Sequence, residues 1–169
     1  MPVPQYPPII QPCIPEQIDT DTIHSAMAEI LKRLLDLYTT AEVVPPARRL
    51  WSLGAVSAEC DELVVLLNSI APEEGDDDSG MPCASALRMS ITITVSRCVP
   101  VSSTKIGDRP PTPKQLADAA AVLSKDAWIL AKAPFCLDLH QMKNLEPQVL
   151  VDDPQGGMQS VSLDMSMVI

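Results

Sequence analysis

Aromatic side chains are nearly missing from this chain: two Trp, two Tyr and one Phe, 3% of its 169 residues. A core built from it must be aliphatic, and base stacking on aromatic platforms has almost no raw material. Positive charge is scarce too. Twelve Lys and Arg stand against 22 Asp and Glu, a formal charge of -10, so the clustered cations that hold phosphates are lacking and nucleic acid would be repelled. No apolar run approaches the roughly 18 to 20 residues that span a bilayer, and the N-terminus has neither a basic region nor an unbroken apolar one. A protein that is soluble, not secreted and without a membrane partner is expected.

The common chemical signatures are missing as well. There is no G-x-S-x-G, G-x-x-x-x-G-K, H-E-x-x-H or G-x-G-x-x-G, and so no hydrolase, nucleotide or zinc-protease motif. The two histidines, His24 and His140, have no motif partner for acid–base work. Cys136, Asp138 and His140 alternate and would share one side of a strand, a geometry suited to a metal; the plainer reading is a segment edge with a buried thiol. The loop from Glu73 to Asp78 is acidic but lacks EF-hand spacing. The five cysteines (13, 60, 83, 98 and 136) are odd in number, widely spaced and without a C-x-x-C pair. That pattern predicts free, mostly buried thiols in a reducing compartment. These absences are consistent with a protein that needs no cofactor.

What is present is patterning. Hydrophobic residues make up 46% of the chain, enough for one domain with a real core. Residues 1–18 interleave six prolines with Ile9, Ile10 and Ile14, an extended arm outside a single domain over 19–169. From Asp19, helical spacing sets Ile23, Met27, Ile30, Leu31, Leu34 and Tyr38 on one face, and Pro45–Pro46 should stop the helix. Two strands follow, about 49–56 and 61–70, joined by a polar turn at 57–60; the second is apolar on both faces and belongs inside the sheet. After an acidic loop (71–82) and a later linker (102–112), Thr112, Pro113 and Gln115 form a capping box. Leu116, Ala119, Ala120, Leu123, Ala127 and Leu130 form the buried stripe of that second helix, which Pro134 should end.

The strongest strand signal is "SALRMSITITVSRCVPV" (85–101), where apolar Leu87 to Val95 alternate with Arg88 to Ser96. At roughly 3.3 Å per residue it would run on the order of 45 to 50 Å. Such a strand should project past the core, bend at a bulge, or pair with a second long strand at a surface met by another molecule. "QSVSLDMSMVI" at the end repeats the design, after a weaker strand at 148–151 and a turn at "DDPQGG". These elements predict an α+β fold: a mostly antiparallel sheet with two long amphipathic strands packed on two helices. Arg97 alone puts a cation on the apolar side. Either the strand has left the core there, or Arg97 pairs with a carboxylate of this or a neighbouring subunit.

Three stretches together resemble the tail-terminator and related neck proteins of long-tailed phages that infect actinobacteria. They are "LWSLGAVSAECDELVVLL", "ITITVSRCVPV" leading through "GDRPPTPKQLADAAAVLSKDAWIL", and "PQGGMQSVSLDMSMVI". The matching motifs are Arg97–Pro100, Lys125–Leu130 and the pair Gly156–Gly157; Asp61 and Met158 stand where the family pattern often has further cysteines. The resemblance implies a tail-terminator-like fold and a non-enzymatic ring, usually of six copies. It would sit at the head-proximal end of the tail, stop tail-tube growth and dock to the neck. Its partners would be other copies of itself, the tail tube protein and a neck or stopper protein, with double-stranded DNA only as passing cargo. Such a protein is assembled in the host cytoplasm and resides in the virion at the tail–neck junction. In an acidic chain the cations Arg48, Arg49, Arg88, Arg97 and Arg109 are the candidate subunit contacts. The alternatives are a head–tail connector, or a small metal-dependent module or enzyme using Cys136, Asp138 and His140.

Overall fold

The computed structural model describes residues 20–72, 87–101, 109–136 and 148–168. The proline-rich arm, most of the acidic loop and residues 102–108 of the linker lie outside the described residues, as do Asp138 and His140. The elements in chain order are α1 (Thr20–Thr40), β1 (Arg48–Leu53), β2 (Glu62–Pro72), β3 (Leu87–Cys98), α2 (Pro113–Cys136), β4 (Gln148–Val151) and β5 (Met158–Val168). The strands form one five-stranded sheet in the order β1-β2-β3-β5-β4. All neighbours run antiparallel except β1 and β2. This is an α+β fold.

Alternation along the strands decides which face the helices cover. Met89, Ile91, Ile93 and Val95 of β3, Leu63, Val65 and Leu67 of β2, and Val161, Leu163 and Met165 of β5 are buried in one cluster. Met27, Ile30, Leu34 and Tyr38 of α1 and Leu123, Ile129, Leu130 and Ala133 of α2 join them. The other face carries Ser90, Thr92, Thr94, Ser162, Asp164 and Ser166, none of them buried. There Asn68 Nδ2 donates to Thr92 Oγ1 at 2.7 Å, and Thr92 Oγ1 donates to Asp164 Oδ1.

The long strand does not project. β3 keeps an unbroken register with β5 from Arg88↔Val168 to Cys98↔Met158 and pairs with β2 along its other edge. It is the middle strand of the sheet, and its length is matched by its neighbours. The register irregularity lies in β2, between Leu67 and Ser69.

The sequence predicts the turn between the first two strands as short and polar, a hairpin-like connection, but β1 and β2 are parallel. Residues 54–61 must therefore run back along the full length of β1. They do so over the polar face: Glu59 N donates to Glu62 Oε2 at 3.0 Å, and Glu62, Val64 and Ser96 of that face are buried. Helix α1 ends before the prolines. Glu42 adopts a left-handed φ of 54°, Glu42 N donates to Thr39 O and Val43 N to Tyr38 O, a Schellman cap built on glutamate instead of glycine. At the other hairpin, Gly156 and Gly157 have φ of 59° and 85°, as a two-residue turn between Gln155 and Met158 requires.

Helix α2 departs from expectation at both ends. The capping box forms, with Thr112 N donating to Gln115 Oε1 at 2.9 Å and Gln115 N to Thr112 Oγ1 at 3.3 Å. However, Leu116 is 49% exposed and Ala120 is exposed, because the first two turns overhang the sheet. The helix also runs through Pro134 to Cys136, since a proline in the last turn frees one carbonyl and no more.

Truncation distinguishes the overhanging start of α2 from the core. Ile93→Ala, at a fully buried position, should lose about 2–5 kcal/mol in urea unfolding, whereas Leu116→Ala should stay within about 0.5 kcal/mol of the parent.

Candidate functional site

The cation that breaks the β3 pattern sits at the centre of a polar cluster inside the core. Arg97 stays on the helix-covered face at 9% exposure and Asp126 of α2 is fully buried beneath it. Arg97 Nε donates to Asp126 Oδ2 at 2.8 Å and Nη2 to Asp126 Oδ1 at 2.9 Å, a two-pronged pairing. Nη1 donates to Asp61 Oδ1 at 2.5 Å, and Nη2 also to the Val44 carbonyl at 2.9 Å. Tyr38 Oη donates to Asp126 Oδ1 at 2.8 Å. One guanidinium thus ties α2, the end of α1, the segment leading to β1 and the start of β2 to the middle strand.

Each position follows from local geometry. Arg97 lies on the same side as Val95 and Ile93 because strand side chains alternate. Asp126 lies three residues after Leu123 and four before Leu130, on the buried stripe of α2. Asp61 has φ of 59°, a left-handed conformation that aspartate tolerates well, and this turns the chain into β2.

The electrostatics are those of a closed ion pair. Burial alone would lower the Arg97 pKa, but the hydrogen bond and charge of Asp126 and the hydrogen bond of Asp61 outweigh it and raise it above the usual arginine value. Burial, and then the Asp126 carboxylate, push the Tyr38 hydroxyl well above the ordinary phenol range. Four of the five N–H donors of Arg97 are taken within its own chain, so the cluster orders the fold.

A second ionic group caps the same end of the sheet. Arg48 pairs with Glu59 and lies 3.0 Å by Nε from Oε1 of Glu62, itself 1% exposed. That oxygen has no aligned hydrogen bond, so the Arg48–Glu62 attraction is coulombic. The Glu59 carboxyl is held below its usual range by Arg48.

The five candidate contact cations do not form one patch. Arg48 and Arg49 are exposed on edge strand β1, and Arg49 Nε donates to the Pro46 carbonyl at 2.6 Å. Arg88 is exposed at the far end of β3, nine residues and on the order of 30 Å from Arg97. Arg109 is exposed ahead of α2. Of the two alternatives for Arg97, it stays in the core and pairs with carboxylates of its own chain, Asp126 and Asp61, with the Val44 carbonyl as a further acceptor.

Cysteine pairing is a further correction. Cys60 and Cys98, expected as free buried thiols, form a disulfide with a Cα–Cα distance of 5.0 Å, and both residues are exposed. The antiparallel register that pairs Glu62 with Ser96, carried two residues on, sets Cys60 opposite Cys98. The covalent link therefore sits beside the Asp61–Arg97 ion pair. Of the Cys136–Asp138–His140 grouping, Cys136 ends α2 while Asp138 and His140 fall outside the described residues, and among the described residues no cluster of metal-ligating side chains occurs. His24 packs edge-on against Trp51, ring centroids 5.2 Å apart.

Asp126, Asp61 and Tyr38 are the site residues that motif reading misses. A signal for Asp126 was present: an acid on the apolar stripe of a helix, in a chain with a base on the apolar stripe of a strand. No protein-family model matches the chain, and no curated protein matches it.

Breaking the pair should cost more than removing it. Asp126→Leu should lose about 3–5 kcal/mol by leaving buried Arg97 with only the half-exposed Asp61 as counter-charge, and the double variant Arg97→Met/Asp126→Leu should recover much of that loss in urea unfolding. For Tyr38, the folded state holds the phenol proton more tightly than the unfolded chain does. This contribution is complete below about pH 10, the ordinary phenol value, and is lost as pH rises above it. The stability difference between wild type and Tyr38→Phe should therefore narrow above about pH 10, followed by denaturation at a series of pH values.

Proposed function

We propose that this chain is a structural virion protein that forms a ring, six copies in its usual form, at the head-proximal end of a phage tail. In that position it ends growth of the tail tube and docks to the neck. The observation that carries the reading is convergence: the three separated stretches that resemble tail-terminator proteins meet at one end of the sheet. Arg97 of the second stretch holds Asp61 of the first and Asp126 at the far end of its own, and Val99 N of the second donates to Gly157 O of the third at 2.8 Å. The motifs thus behave as one structural unit.

Other features agree with this role. A disulfide suits a particle that leaves the reducing cytoplasm. A sheet face of serine, threonine and Asp164, in a chain of net charge -10, suits the wall of a wet conduit that must not hold a passing genome. A ring whose channel proved basic would overturn that placement. No helix among the described residues is long and apolar enough to cross a membrane.

Native mass with electron microscopy tests the ring: closed assemblies of six 18.2 kDa chains, free or formed on added tail tubes, are expected, and their absence under both conditions overturns it. Removing the gene from the parent phage separates the roles. Overlong tails are the expected outcome; normal tails beside unstable filled heads would assign the chain to the head–tail connectors.

A further inference from the structure

Helix α2 presents a second patterned face, opposite the one that holds Asp126. Ala117, Ala121, Ser124, Trp128, Ala131 and Phe135 are spaced alternately four and three residues apart, the spacing of a helix–helix seam. All six are exposed, Trp128 by 56% and Phe135 by 78%. A chain with five aromatic residues thus places two of them on the outside of one helix, where contiguous apolar surface marks a contact.

We propose that this face is a two-fold contact between two copies of the chain, with their α2 helices packed antiparallel. Size complementarity selects that arrangement. With the two-fold axis level with Asp126, Phe135 of one copy lies against Ala117 of the other, Trp128 against Ser124, and Ala121 against Ala131. Each aromatic ring then fills the space above a small residue. A parallel pairing would set ring on ring and alanine on alanine, too wide at one level and too narrow at the next.

Charge on balance favours the same arrangement. Lys114, Asp118, Lys125 and Lys132 line one flank of the seam, and a two-fold axis brings that flank of one copy beside the same flank of the other, setting two symmetry-related Asp118–Lys132 pairs against one like-charge meeting, Lys125 with its own copy near the axis, where Glu42 borders the same groove. Asp118 then comes level, within one turn, with Lys132 of the second copy. Lys132 already extends along the seam, its Nζ 5.8 Å from the Trp128 ring centroid. Beside Trp128 a shallow groove of about 390 Å³, bordered by Ala41 and Val43, gives the partner helix a wall to rest on.

An isologous contact closes at two copies, whereas a ring grows head to tail, so this inference goes beyond the ring and does not rest on it. Sedimentation equilibrium of the full chain across a concentration series tests it, with circular dichroism to show that each variant is folded. Wild type should reach twice its chain mass, or twice the mass of a ring where rings form. Trp128→Glu should weaken that association by at least about thirtyfold, as expected for a central aromatic contact. Asp118→Lys should weaken it severalfold, and adding Lys132→Asp should restore it. A monomeric wild-type chain, an assembly unmoved by Trp128→Glu, or failure of the charge exchange to restore pairing would each overturn the two-fold contact. Wild-type rings that show no two-fold pairing would overturn it while leaving the ring reading intact, and dimers without rings would do the reverse.

Discussion

A guanidinium carried into an aliphatic core costs several kcal/mol unless its charge is matched and its hydrogens are all used. Arg97 has its charge matched by Asp126 and Asp61 and four of its five N–H hydrogens used by these carboxylates and the Val44 carbonyl, and much of the architecture follows from that demand. Helix α2 has no freedom to rotate about its axis, because Asp126 must face the strand. That rotation places Leu123 and Leu130 inward and Trp128 and Phe135 outward. The end of α1 is fixed through Tyr38, and the start of β2 through Asp61. In a core of Leu, Ile, Val and Met, which packs well in more than one way, a directional pair of this kind selects a single arrangement.

Patterns of local origin were open to sequence reading. The alternation of Met89 to Val95 and of Val161 to Met165 identified two sheet strands and the face they bury, and Thr112 with Gln115 marked the start of α2. What escaped was set by partners distant in the chain. Nothing in "GAVSAEC" announces that it returns along β1 instead of turning at once, because a parallel pair is defined by where the second strand lies. The Cys60–Cys98 bond escaped for the same reason: its geometry exists only after the β2–β3 register is fixed. Helix periodicity named Leu116 as core, but it carries no information on how far the sheet extends beneath it. Arg97 stood out at once, whereas Asp126, its mirror image on a helix, was hidden among ordinary helix-forming charges.

The two layers differ in what they expose. One side of the sheet is sealed by helices. The other is clothed by the 54–61 return at the end where Arg48, Glu59 and Glu62 cluster, and carries bare hydroxyls elsewhere. Such a sheet has a covered end and a wet end on the same face, so a neighbour approaching it meets an orientation, not a uniform wall. A polar assembly needs subunits with that kind of asymmetry.

Strand β5 occupies the slot between β3 and β4, although it is the last element in chain order. During synthesis the middle strand β3 has one bare edge until residues 158–168 have left the ribosome, and the short β4 has no strand to lie against. Sheet closure is therefore a late, long-range event, with the slow kinetics that distant pairings bring. Until then the aliphatic edge of β3 is open to any extended segment nearby, which makes the interval between emergence of α2 and arrival of β5 the period of greatest risk of misassembly.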